Sequence, residues 1–101
     1  MSQIKQYMVD ATLDFLDRLA VKAVVTVEGV ETEQPIYLAR IEKNTVRKYV
    51  RLTEERGLIT KAVLVDSEGR PLVEKVLNYQ KGNKPYIIAF PITQKIMVGE
   101  E

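Results

Sequence analysis

Three aspartates near the N-terminus have the spacing that comes closest to a chemical site. Asp10, Asp14 and Asp17 follow one another at intervals of four and three residues, which places their carboxylates on one side of a helix. Clustered carboxylate oxygens are the ligands that Mg²⁺ and Ca²⁺ prefer. The solvated side of an amphipathic helix uses the same residue types, and Arg18 supplies a partner charge. We therefore interpret this row as polar surface and predict no metal site.

The chain lacks the two side chains on which much enzyme chemistry at neutral pH depends. It contains no His and no Cys, which excludes disulfides, Cys-ligated zinc and thiol catalysis and removes the commonest general base. Glu28, Glu31 and Glu33 fall in a segment that we interpret as a polar connection, and residues 66–69 have the composition of a β-turn. We therefore predict no catalytic residues, no cofactor and no enzymatic activity.

Basic and aromatic residues alternate in the second half of the chain, a pattern that can bind single-stranded nucleic acid through phosphate contacts and base stacking. The candidate nucleic-acid face consists of Arg47, Tyr49, Arg51, Tyr79, Lys84 and Tyr86. Fifteen Lys and Arg against fourteen Asp and Glu leave a net charge of only +1, and no RNP-type motif is present. A solvent-facing sheet uses the same Arg and Tyr pairs. Nucleic-acid binding is therefore the alternative function, and we expect a protein partner instead.

The first element is predicted to be an amphipathic helix over residues 3–20. Apolar side chains recur there at intervals of three and four residues, with Ser2 as the N-cap. The stripe consists of Ile4, Met8, Ala11, Phe15 and Leu19, broadened by Tyr7, Thr12 and Leu16. This stripe must cover a sheet, another helix or a copy of itself. The residues Ile4, Met8, Phe15 and Leu19 are our candidate interface.

The rest of the chain, about residues 22–98, is predicted to be an antiparallel β-meander of about six strands, because short turns cannot connect parallel strands. Residues 45–56 fit either a strand followed by a hairpin loop or a helix that begins at Asn44 and ends at Gly57. Glu54 and Glu55 would lie at the negative end of that helix, so the strand is favoured. A short final strand at 95–98 is an option. The prediction is a single α+β domain over residues 1–101.

Composition is that of a folded globular domain, with 46% hydrophobic and 29% charged residues. No leader segment is recognisable, and no apolar run approaches the ~18 residues of a membrane span. We therefore expect no membrane partner and a cytoplasmic or virion location.

A resemblance to known proteins lies in the second half of the chain. Residues 59–70, ITKAVLVDSEGR, resemble a hairpin of phage tail modules, and residues 81–90, KGNKPYIIAF, are similar to the ends of the same proteins. The family comprises small tail- and baseplate-module proteins of bacteriophages and of defective prophages of Gram-positive bacteria. The resemblance implies a non-enzymatic component of a tail, baseplate or tail fibre, assembled in the host cytoplasm. It implies other structural chains as partners and a homo-oligomer such as a trimer, and it transfers no catalytic residues.

Overall fold

A computed structural model of the 101-residue chain describes residues 6–93. One helix precedes seven strands. They are α1 (Gln6–Leu19), β1 (Lys22–Val27), β2 (Val30–Pro35), β3 (Leu38–Glu42), β4 (Thr45–Leu52), β5 (Gly57–Val65), β6 (Pro71–Lys81) and β7 (Tyr86–Thr93). The predicted N-cap Ser2 and the optional strand at 95–98 lie outside the described residues. Within residues 6–93, no helix is long and apolar enough to cross a membrane.

The seven strands form two antiparallel sheets. The order is β2-β1-β5-β6 in the four-stranded sheet and β3-β4-β7 in the three-stranded sheet. The α+β class and the N-terminal helix are confirmed, whereas the meander of about six strands is wrong. The chain makes a hairpin in the four-stranded sheet (β1–β2), crosses to the other sheet for β3–β4, returns for β5–β6 and crosses again for β7. As a result β1 pairs with β5 and β4 pairs with β7, which are distant in sequence.

The additional strand is β2, which lies in the segment that we interpreted as a polar connection. β2 is an edge strand whose backbone pairs only with β1 among the described strands. Its Glu31 and Glu33 are exposed, so the strand contributes backbone hydrogen bonds and little apolar surface. Charged residues are common on edge strands because they discourage pairing with other chains. The polar composition of residues 30–35 therefore gave no strand signal, although backbone hydrogen bonds to β1 make this segment a strand.

Residues 45–52 form the favoured strand and not the alternative helix. Along β4, buried and more exposed residues alternate, and Val46, Val50 and Leu52 are fully buried on one side. A period of two places all three on the same face of a sheet, which a helix would not do.

The hydrophobic core lies between the two sheets. The four-stranded sheet contributes buried side chains from β1 and β5, and the three-stranded sheet contributes them from β4 and β7. They are Ala23, Val25, Val27, Ile59, Ala62 and Leu64 from the first sheet and Val50, Leu52, Ile88 and Phe90 from the second, with Ala20 beside them. Two sheets that face each other bury mainly their inner sides, and β5 is buried on both faces from Ala62 to Val65.

A two-residue turn, Glu28-Gly29, joins β1 to β2 and rests against the start of β5. Both turn residues have positive φ, 51° and 77°, as the tight turn of a hairpin requires. The Glu28 carboxylate accepts a hydrogen bond from the Leu58 amide at 2.6 Å. Gly57 has φ 128° and leaves no room for a Cβ, which would overlap Glu28 Cγ and lie 2.9 Å from Glu28 Cδ.

Replacing Gly57→Ala is expected to lower the free energy of unfolding by more than about 1 kcal/mol, because alanine is strained at this φ and its methyl group collides with Glu28. Chemical denaturation measures the change. The matched control is Gly82→Ala, where no atom lies within 4 Å of the new Cβ, and it should cost nothing. If the collision contributes, Gly57→Ala will cost less in a Glu28→Gly background. An equal effect of both glycine substitutions would contradict this account.

Asp66 organises the loop between β5 and β6. Its Oδ1 accepts hydrogen bonds from the amides of Glu68 and Arg70, both at 2.9 Å, and its Oδ2 accepts one from Arg70 Nε at 2.7 Å. The pKa of Asp66 lies below its ordinary 3.8, and the main cause is the hydrogen bond from the Arg70 backbone amide. The Arg70 side chain and the Glu68 amide lower the pKa further, whereas burial acts in the opposite direction. The turn predicted at residues 66–69 is confirmed.

Asp66→Asn is expected to remove a stabilisation that depends on pH. Because the folded-state pKa lies below the unfolded-state pKa, this stabilisation is complete above the unfolded value and is lost as the pH falls through the folded value. The difference in unfolding free energy between wild type and Asp66→Asn should therefore shrink on acidification below about pH 5. Denaturation midpoints measured at several pH values test this. Ser67→Ala, in the same loop, should keep the wild-type pH dependence; a pH-independent difference for Asp66→Asn would refute the assignment.

Candidate functional site

A buried lysine ties the C-terminal end of α1 to the three-stranded sheet. Lys48 points from β4 toward the helix with only 5% of its surface exposed. Its Nζ donates to the Asp17 carbonyl oxygen at 2.7 Å and lies 2.7 Å from Asp17 Oδ1. The last carbonyls of a helix have no intrahelical donor, and the helix dipole places negative charge there. Lys48 therefore supplies both a donor and the matching charge.

The inward side of α1 differs from the predicted stripe. Leu13 is 1% exposed, and Val9 and Leu16, four residues before it and three after it, are half-buried. The helix packs against β3 and β4 on this side. Met8 and Phe15 of the predicted stripe are 57% and 60% exposed. The helix therefore has two apolar stripes, and Met8, Ala11 and Phe15 of the predicted stripe face away from the domain, whereas Leu19 is half-buried.

The outward stripe forms a surface that we call the helix surface. It comprises Tyr7, Met8, Ala11 and Phe15 with the neighbouring Asp10 and Asp14, all exposed. Tyr7 is 82% exposed. Of the candidate interface residues, Met8 and Phe15 belong to the helix surface, Leu19 is half-buried, and Ile4 lies outside the described residues.

The three aspartates of α1 do not converge. Asp10 accepts a hydrogen bond from Gln6, Asp14 pairs with Arg18, and Asp17 turns toward Lys48. In the part of the chain that the structure describes, no group of three or more acidic side chains is arranged to hold a metal ion. The carboxylates of Glu28, Glu31 and Glu33 are likewise separated, since Glu28 lies in the turn and Glu33 pairs with Lys22 at 3.2 Å.

A second exposed surface, the arginine face, is the outer side of the three-stranded sheet. Residues directly opposite each other on antiparallel strands share a face. The register pairs Arg40 with Arg47, Leu38 with Tyr49 and Arg51 with Ile87. The arginine face comprises Arg40, Arg47, Arg51, Tyr37, Leu38, Glu42, Tyr49, Ile87, Ala89 and Pro91.

The arginine face has an excess of positive charge. Arg40 and Arg47 lie directly opposite each other, an arrangement that destabilises a sheet when no anion is near. Neither of them forms an ion pair with any residue in the described range 6–93. Arg51 lies over the Tyr37 ring, 5.4 Å from its centre, which is a cation–π contact. Among the strand residues of this face, Glu42 at the end of β3 is the one carboxylate.

The six residues of the candidate nucleic-acid face lie in three places and do not form one surface. Arg47, Tyr49 and Arg51 belong to the arginine face. Tyr86 lies on the inner side, opposite the buried Leu52, and its ring stacks on Tyr79 with 3.9 Å between ring centres. Lys84 lies in the loop between β6 and β7. The arginine face also includes Arg40, which the sequence reading missed because only the β3–β4 register brings it opposite Arg47.

A second buried lysine holds the connections between the sheets. Lys81 is 1% exposed, and its Nζ donates to the carbonyl oxygens of Thr53, Glu55 and Gly82 at 3.1, 2.5 and 3.2 Å. These acceptors use all three of its donors. Lys81 therefore has a structural role, because it fixes the backbone of residues 53–55. The Glu55 carboxylate separately accepts a hydrogen bond from Gln34 Nε2 at 2.9 Å.

Comparison of the chain with protein-family models, with curated proteins and with solved structures gives no match.

Lys48→Met is expected to reduce the free energy of unfolding by about 1–3 kcal/mol, the range for losing a charged hydrogen bond in a partly buried site. It should also loosen α1, which limited trypsin digestion detects as faster cleavage after Arg18. Lys75→Met is the control, because Lys75 is exposed and donates only to the Ala89 carbonyl. Unchanged cleavage after Arg18 in Lys48→Met would show that Lys48 does not hold the helix.

Proposed function

We propose that this chain is a non-enzymatic structural protein of the bacteriophage tail or baseplate type, which works by binding other protein chains, copies of itself among them. The observation that carries the proposal is the exposure of Tyr7, Met8 and Phe15 together on the helix surface. A helix this amphipathic usually buries its large apolar residues. Here the structure leaves three of them in solvent after the other stripe has packed.

Burial in an interface would yield a substantial free energy. A large apolar side chain gains roughly 1.5–3 kcal/mol when it passes from water to a buried site. Clustered exposed apolar residues with a polar rim are typical of surfaces that bind protein. On the helix surface, Asp10 and Asp14 supply that rim beside Met8 and Phe15.

The edge strands provide further support. Every residue of β3 is exposed, and β3 is an edge of the three-stranded sheet. A free edge can pair with a strand of another chain. The tail or baseplate assignment and the virion location are supported by the resemblance of residues 59–70 and 81–90, which also implies structural chains as partners.

The alternative function, binding of single-stranded nucleic acid, is supported by Arg47, Tyr49 and Arg51 on the arginine face. A protein partner is favoured because β7 contributes aliphatic side chains there, Ile87 and Ala89 among them, where base stacking needs aromatic rings. The Tyr79 and Tyr86 rings stack on each other instead.

The test is self-association of the purified protein, measured by light scattering over a dilution series. Wild type is expected to form a homo-oligomer. Met8→Ser with Phe15→Ser should weaken association by at least about tenfold, because each loses apolar burial worth ~1.5–3 kcal/mol. At concentrations where wild type is dissociated, the melting temperature of the domain should change little, since both side chains are exposed in the single chain.

The matched control is Val30→Ser with Val76→Ser, which removes two residues that are 62% and 78% exposed on the four-stranded sheet. This variant should associate like wild type. A strictly monomeric wild type would contradict the self-association, and absence of the protein from purified phage or tail particles of the encoding strain would contradict the tail assignment.

A further inference from the structure

We infer that the helix surface of one copy docks on the arginine face of a second copy. This inference rests on the proposed function, since it specifies the contact through which the copies associate. No other part of residues 6–93 covers either surface, and one contact between copies would cover both of them.

The charges of the two surfaces are complementary. The arginine face carries Arg40 and Arg47 side by side without an ion pair to any described residue, and the helix surface carries Asp10 and Asp14. Asp14 is paired with Arg18, whereas Asp10 accepts a neutral hydrogen bond from Gln6 and has no cationic partner among residues 6–93. Asp10 is therefore the carboxylate of the helix surface whose charge is not neutralised. An acidic partner would relieve the repulsion between Arg40 and Arg47, which the single chain retains.

The apolar parts are complementary as well. Phe15, Met8 and Tyr7 protrude from the helix, and the middle of the arginine face is apolar, with Leu38 41% and Ile87 50% exposed. Packing of a helix on a sheet is one of the standard ways to bury such surfaces. An interface with aromatic and Met side chains at its centre and Arg nearby has the composition typical of protein contacts.

The length of α1 is compatible with the length of the exposed three-stranded sheet. The 14 residues of α1 span about 21 Å at 1.5 Å per residue. The eight residues of β4 span about 26 Å at 3.3 Å per residue. One helix therefore fits along most of the exposed sheet without extending beyond it.

The contact is head-to-tail. Within one chain, α1 packs on the side of β4 that carries Lys48, and the arginine face is the opposite side. The two surfaces are different patches, so each copy can bind one neighbour through its helix and another through its sheet. Such heterologous contacts generate rings when the rotation closes and filaments when it does not. A ring is the form expected of a tail component.

The experiment uses two variants of the full chain. The helix variant carries Asp10→Lys and Phe15→Lys, and the sheet variant carries Arg40→Glu and Arg47→Glu. Each alone should self-associate at least about tenfold more weakly than wild type, because like charges then face each other. When the two are mixed, the intact helix surface of the sheet variant meets the intact arginine face of the helix variant. Native mass spectrometry should then show complexes that contain both variants.

The control is Glu31→Lys with Glu74→Lys, which reverses two exposed charges on the four-stranded sheet and should associate like wild type. Circular dichroism melting checks that every variant is folded. If wild type associates and the sheet variant associates equally well while the helix variant does not, a helix–helix contact replaces this inference and the proposed function survives. If wild type is a monomer, self-association itself fails.

A nucleic-acid role of the arginine face is one of the outcomes. Wild type would then bind a labelled single-stranded oligothymidine in a salt-dependent way, and the sheet variant would lose this binding while its self-association stayed unchanged. That result would assign the arginine face to nucleic acid and overturn the inference. Mixed complexes that weaken as the salt concentration rises would support it, because exposed ion pairs are screened by salt.

Discussion

The contact between the Lys48 ammonium group and the end of α1 determines how the helix lies on the domain. A buried charge is costly unless it is paired, and Lys48 meets that requirement through the carbonyl and carboxylate oxygens of Asp17. Rotation of α1 about its axis would leave this ammonium group without its partners. The contact therefore holds Leu13 inward and Phe15 outward, although both are apolar. The position of Lys48 on β4, together with the burial of Leu13, therefore leaves the helix surface facing outward.

The two-sheet arrangement explains why a second surface stays open. The core is filled by the facing sides of the two sheets, and within residues 6–93 the outer side of the three-stranded sheet contributes no residue to it. Lys81 bonds the carbonyls of the connection between β4 and β5, which holds the sheets together at one end. The outer side of the three-stranded sheet is thus free to carry Arg40 and Arg47 as neighbours, an arrangement that a folding requirement alone does not explain.

Local patterns predicted some elements well and others poorly. The alternation from Val46 to Leu52 indicated a strand, and β4 is that strand. Asp66 and Gly69 indicated a turn, which the structure contains with Asp66 as its hydrogen-bond acceptor. The polar segment that became β2 gave no strand signal, because an edge strand depends on backbone pairing with β1 and not on buried side chains. The sequence did not predict that β1 pairs with β5 or that β4 pairs with β7. The alternation of buried and exposed side chains along a strand is the same whether the strands form one sheet or two.

The amino-acid sequence by itself determined the α+β class, the helix near the N-terminus and most of the strands, because these follow from spacing within a few residues. It also excluded chemistry that needs His or Cys. Only the tertiary structure decided which apolar stripe of α1 is buried and which arginines share a face. Those outcomes depend on strand register and on contacts such as Lys48 with Asp17, which join residues 31 positions apart. Arg40 and Arg47 become neighbours for the same reason, because hydrogen bonding between β3 and β4 sets them opposite each other.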